Sequence, residues 1–198
     1  MEEGLVKSEQ QLAERLAGTL ARRSLSDLVK ARTQISLLVV DCSGSMSEET
    51  DKGERKIDAL RTVVAEVRER VACKVLAFGH AWEPEIVDSI PDPSGGTPLH
   101  DAITAGKMHR ANHLIVVSDG IPDSTSAALE AARDFGGKID AVYVGPKGGP
   151  GPAFMQQLAS LTGGTSDALD LAQKELVGKR ILGFLGAGQE QLEGGIQL

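Results

Sequence analysis

Residues 35–48, ISLLVVDCSGSMSE, decide the fold. Their first six residues form an aliphatic run too short for a membrane span and bounded by polar residues, as expected of a strand buried on both faces. The run ends at Asp41 and opens into a polar loop, 41–54. Residues 55–71 then place Ile57, Leu60, Val63, Val64, Val67 and Val71 on one side of a helix.

The same alternation continues outward along the chain. KVLAFG (74–79), HLIVVS (113–118) and KIDAVYVG (138–145) read as further strands. EPEIVDSI (83–90) reads as a short edge strand, because Pro84 is tolerated only at an edge or a strand start. Helices are expected near 98–108, at 124–135 with Asp123 as N-cap, at 152–162 and at 168–183. Strands alternating with helices predict an α/β fold: a doubly wound, mostly parallel central sheet with helices on both faces and one short antiparallel edge strand. Leu12, Leu16 and Leu20 give residues 8–31 a helical stripe, so 1–33 are expected to pack on the domain as a helical extension. Residues 34–185 form the domain itself, and 186–198 a flexible tail.

Composition narrows the function. The 198 residues carry a net charge of −7, which disfavours a general nucleic-acid binder. One Trp, one Tyr and four Phe leave the core to Val, Leu, Ile and Ala. No apolar run reaches the roughly 18 residues of a membrane span, and the start, MEEGLVKSEQ, is acidic and polar rather than signal-like. A cytoplasmic protein with two reduced structural thiols, Cys42 and Cys73, is the expectation.

The chemistry gathers at strand ends, where open α/β sheets bind ligands. Asp41 ends one strand, and Ser43 and Ser45 follow it around Gly44. Asp119 ends another, in SDGIPD (118–123). SGGTPLHDAI (94–103) offers Thr97 after two glycines. Five oxygen donors from three loops, without sulfur or imidazole, suit a hard cation: Mg²⁺, with Mn²⁺ or Ca²⁺ as alternatives. His80 and Trp82 read as packing or surface residues, Asp101 as a helix cap or support, and Glu48 and Glu49 as a solvated acidic loop. GPKGGPGP (145–152) lacks the GK[ST] ending of a phosphate loop, and its prolines remove backbone donors. It reads as a mobile connection.

Asp41-Cys-Ser43-Gly-Ser45, Gly-Gly-Thr97-Pro and Ser-Asp119-Gly together resemble the metal-ion-dependent adhesion site (MIDAS) of von Willebrand factor type A (VWA) domains. The resemblance covers about residues 34–183. It implies hydroxyl ligands at Ser43, Ser45 and Thr97, with Asp41 and Asp119 reaching the metal largely through water. Such a site recognises an Asp or Glu of a partner protein and is not an enzyme's. The family suggests an AAA+ ATPase of MoxR or chelatase type as partner, and a last helix that moves with metal coordination.

Two rivals come from other classes. A haloacid-dehalogenase-like phosphohydrolase would use Asp41 as nucleophile. It needs an acid two residues on, where Ser43 stands, and a partnered lysine that the sequence does not reveal. A metal-independent scaffold would bind through the N-terminal helix instead.

Overall fold

The computed structural model describes residues 35–186 apart from Trp82 and Lys147; the expected N-terminal helical extension and the tail beyond 186 lie outside the described residues. Six strands form one sheet: β1 (Ser36–Asp41), β2 (Lys74–Phe78), β3 (Glu85–Val87), β4 (His113–Ser118), β5 (Lys138–Tyr143) and β6 (Ser166–Ala168). Their order is β3-β2-β1-β4-β5-β6. All neighbours run parallel except β3, which pairs antiparallel with β2. The three-residue β3 closes one edge just after Pro84, the position a proline permits.

Five helices cover the sheet: α1 (Lys56–Arg70), α2 (Leu99–Met108), α3 (Thr125–Phe135), α4 (Gly151–Leu161) and α5 (Lys174–Phe184). Alternation along the central strands divides the core in two. Leu37 and Val39 join Leu114, Val116, Ile139 and helices α2, α3 and α4 on one face. Leu38 and Val40 join Ile115, Val117 and helices α1 and α5 on the other. Every residue of β4 is buried, which is why its sequence reads as a run rather than an alternation. On α1 the predicted stripe is buried from Ile57 to Val67, while Val71 becomes the C-cap. Each such side chain contributes about 1.5–3 kcal/mol by leaving water, and truncating Leu60 would open a cavity between α1 and the sheet.

Two expectations need correction. The last helix does not span 168–183: residues 166–168 pair with β5 as edge strand β6, a 3₁₀ turn occupies Leu171–Gln173, and α5 starts at Lys174. Asp170 causes the break, because its carboxylate accepts the Ala172 N–H and caps the turn. Helix α3 is capped by Ser124, whose Oγ accepts the Ala127 N–H at 3.2 Å, and not by Asp123. The helix closes at Gly136, in the left-handed conformation that glycine takes without strain.

Candidate metal site at the carboxyl ends of β1 and β4

The chain leaves β1 toward β2 on one side and returns later as β4 on the other. The connections therefore diverge between the carboxyl ends of β1 and β4, opening a crevice there. Asp41 is the last residue of β1, and Asp119 follows the last residue of β4. Three loops are laced together over this point. Gly44 N–H donates to Gly95 O (3.1 Å), Ser94 N–H to Cys42 O (2.9 Å) and Asp123 N–H to Thr97 O (3.1 Å). Asp123 returns a second bond, its Oδ1 accepting the Thr97 N–H at 2.9 Å. The residue expected to cap a helix instead ties the Thr97 loop to the Asp119 loop. Gly79, at φ +90°, fits between the other two: a Cβ there would lie 2.7 Å from Gly96 O and 2.9 Å from Ser43 N.

Four of the five predicted ligands form a continuous polar string. Asp41 Oδ1 accepts the Ser43 N–H (2.8 Å), the hydroxyls of Ser43 and Ser45 lie 3.2 Å apart, and the Ser45 hydroxyl donates to Asp119 Oδ1 at 2.7 Å. Thr97 is buried on the neighbouring loop. Among the described residues no hydrogen bond joins its hydroxyl to the other four.

Electrostatics set the character of the site. Asp41 is fully buried, and burial pushes its carboxyl up to about 6; hydrogen bonds from the Ser118 hydroxyl and from Ser43 only partly oppose this, and the nearby Asp119 charge adds to it. Cys42, one residue on, has its thiol pushed up to about 12 by burial. It is an inert core thiol, and neither Cys42 nor Cys73 forms a disulfide.

One residue at the site went unseen in the sequence. Lys56, the first residue of α1, sends its ammonium inward to Asp119 Oδ2 and Glu48 Oε2, both at 2.7 Å. Burial disfavours its charge, but the hydrogen bonds and charges of Asp119 and Glu48 outweigh that and hold the ammonium above its ordinary pKa. Glu48 is thus a tether for Lys56 as well as a rim residue. A partnered lysine is present after all, so the case against a phosphohydrolase rests on Ser43 alone. The available sequence signal was the misplaced charge, since a cation in the first turn of a helix opposes the macrodipole.

The remaining flagged residues lie around this centre. His80 Nε2 and Glu85 Oε1 are 2.9 Å apart at the sheet edge. Asp101 lies in the first turn of α2 and lines, with His80, Gly96 and Asp123, a cleft of about 440 Å³ beside the Thr97 loop. A second cleft, of about 340 Å³, lies between Glu48, Lys56 and Gly145. Trp82 is outside the described residues.

The donor set fits a hard divalent cation. Octahedral ligands about 2.1 Å from Mg²⁺ stand about 3 Å from one another along each edge, and the Ser43 and Ser45 hydroxyls, 3.2 Å apart, are close enough to share such an edge. Among the described residues there is no cluster of three or more His, Cys, Asp and Glu side chains able to hold a metal. Any ion here would therefore be held mainly by hydroxyls, water and at most two carboxylates.

The fold is that of a VWA domain. A von Willebrand factor type A protein from Catenulispora acidiphila superposes with a TM-score of 0.61 at 15% identity, over 78% of this chain and 42% of that one. The PilB minor pilin from Streptococcus sanguinis gives 0.59 at 13% identity, over 80% and 62%. The vWF domain of the type V pili tip protein Mfa5 from Porphyromonas gingivalis gives 0.52 at 13%, over 82% and 96%. The chain thus spans less than two thirds of the first two structures. No protein-family model and no curated protein matches the sequence.

Proposed function

We propose that this domain is a non-enzymatic protein-interaction module that binds an acidic side chain of a partner through a divalent cation. Ser43, Ser45 and Thr97 would supply hydroxyl ligands, with Asp41 and Asp119 as carboxylates behind them. The ion is taken as Mg²⁺, with Mn²⁺ or Ca²⁺ as alternatives. It would supply an electrophilic centre that a partner's Asp or Glu can join in place of water. The protein's own part is to hold the hydroxyls together, keep the carboxylates buried and leave one side open.

The observation that carries this reading is the string of oxygens running from Ser43 through Ser45 to Asp119, hydrogen-bonded in series at the switch point of the sheet. The VWA fold supports it, and two of the similar structures are a minor pilin and a pilus tip protein. An AAA+ ATPase of MoxR or chelatase type remains the partner suggested by the motif resemblance. A cytoplasmic setting remains part of the proposal. It is supported by the two free thiols, and no helix among the described residues is long and apolar enough to cross a membrane.

The test is capture of partners from native lysate with Mg²⁺ and with EDTA, beside Thr97→Ala. Metal-dependent capture lost in the variant is expected. Capture indifferent to EDTA would favour the metal-independent scaffold. Turnover of a phosphate ester, abolished in Asp41→Asn, would favour the hydrolase.

A further inference from the structure

We propose that Lys56 is a built-in counter-charge that weakens the site's hold on metal alone and strengthens the bound ion's pull on an incoming carboxylate. This inference rests on the metal-binding reading above and deepens it.

Three observations converge on Lys56. It is only 7% exposed, although an ammonium is strongly hydrated and costly to bury. It opens α1, the helix end that repels a cation, so helix stability does not account for it. Its ammonium is held from two sides: Glu48, mostly in water, grips it from the rim, while Asp119, almost wholly buried, receives it from within.

Asp119 is thereby divided. Oδ2 belongs to Lys56, and Oδ1 accepts the Ser45 hydroxyl. Its negative charge is largely matched by the ammonium before any metal arrives. A divalent ion would then meet two buried carboxylates and one ammonium, and because the Glu48 charge at the rim is mostly screened by water, the ion would keep a net positive charge. With a neutral residue at position 56, the two carboxylates would cancel the ion and leave little to attract a third. Metal affinity and carboxylate affinity should therefore move in opposite directions when this charge is altered.

Glu48 supplies the complementary perturbation. Glu48→Gln removes a negative charge from the same ammonium while leaving Asp119 as its partner. It makes the site more positive, where Lys56→Met makes it more negative. An ion pair with a purely structural role would give the same sign for both variants, a loss of order and of binding.

The experiment titrates Mn²⁺ into the full chain and follows free Mn²⁺ by electron paramagnetic resonance. Acetate is then titrated into the Mn²⁺-loaded protein and followed by water-proton relaxation, which falls as the carboxylate displaces bound water. Lys56→Met should bind Mn²⁺ roughly tenfold more tightly and acetate roughly tenfold more weakly. Glu48→Gln should shift both by a few fold in the reverse sense. Weaker Mn²⁺ binding in Lys56→Met overturns the proposal. So does unchanged or weaker acetate binding in Mn²⁺-loaded Glu48→Gln, which decides the matter should Lys56→Met fail to fold. If the wild-type protein binds no Mn²⁺ at millimolar concentration, the proposed function itself falls, and this inference with it.

Discussion

Replacing Asp140 by Asn should destabilise the fold without touching the candidate metal site. Asp140 lies on β5, away from the carboxyl ends, and is fully buried. Its carboxylate meets His113 Nε2 at 2.8 Å and Lys138 Nζ at 2.7 Å, and accepts the Thr165 N–H at 2.8 Å. Burial alone would raise its pKa, but the bonds from His113, Lys138 and Thr165 outweigh it and hold the carboxyl at about 2. An amide there keeps one acceptor oxygen and turns an NH₂ toward groups that donate. Losing one charge-assisted bond and leaving a buried donor unsatisfied costs about 3 kcal/mol together. Lys138 is 47% exposed, so its share is under about 1 kcal/mol.

Urea unfolding is the assay. With a slope of about 2 kcal/mol/M, the midpoint should fall by about 1.5 M with the slope unchanged. The acid limb supplies the sign. A carboxylate depressed in the folded state stabilises above its ordinary pKa, near 4, and that contribution is lost as pH falls through about 2. The wild-type protein should therefore lose about 1–2 kcal/mol over that window, discounted for the half-solvated lysine, and Asp140→Asn should not. A variant within 1 kcal/mol of wild type at pH 7, with equal slope, refutes the reasoning. So does a Lys138→Ala variant as unstable as Asp140→Asn.

Three further outcomes follow from the site and its supports. Asp41→Asn should abolish Mn²⁺ binding and, in urea melts of the metal-free protein, remove the share of the pH dependence between about 4 and 6 that Asp41 supplies. The wild-type carboxyl, held near 6, contributes stability below its ordinary pKa that is lost as pH rises through about 6. In the wild-type protein, Mn²⁺ affinity measured by calorimetry should drop as pH falls below about 6, because protons compete for Asp41; a flat profile from pH 7.5 to 5 would count against Asp41 as a metal holder. Gly79→Ala should weaken Mn²⁺ binding at least tenfold with a melting loss of about 1–3 kcal/mol, since its Cβ would press Gly96 O and Ser43 N apart. Unchanged Mn²⁺ affinity there would mean that the two loops need not stay in register.

The fold was legible where burial is simple. Strands β1 and β4 are covered on both faces, so their sequences are aliphatic runs, and α1 has one covered face, so its sequence shows a stripe. Strand β6 was not legible, because Ser166-Asp-Ala168 is a three-residue edge with no fully buried side chain and no apolar pattern. Asp123 and Ser124 both have N-cap chemistry; that Asp123 serves the Thr97 N–H depends on a loop 26 residues away. Among the candidate ligands, the motif order put Asp41, Ser43, Ser45 and Asp119 on one string. Lys56 was hidden by its surroundings: a lysine beginning an amphipathic helix after a polar loop looks solvent-facing. Only the pairing across 63 residues with Asp119 reveals its direction.

Lys56 and Asp41 give the site a common logic. A domain built only for stability would not bury Asp41 where desolvation lifts its carboxyl toward neutrality, nor draw an ammonium into the first turn of a helix. Burial of Asp41 costs stability in the protein alone, and in the proposed function a cation would offset it; Lys56, already paired with Asp119 and Glu48, would keep that cation positive for a carboxylate. If that ordering holds, metal alone should stabilise the domain modestly. Metal and acetate together should stabilise it by more than the sum of their separate effects, because each ligand corrects the imbalance left by the other. Melting curves with Mn²⁺, with acetate and with both measure this directly. Strict additivity would mean that the two charges lie close together without being coupled.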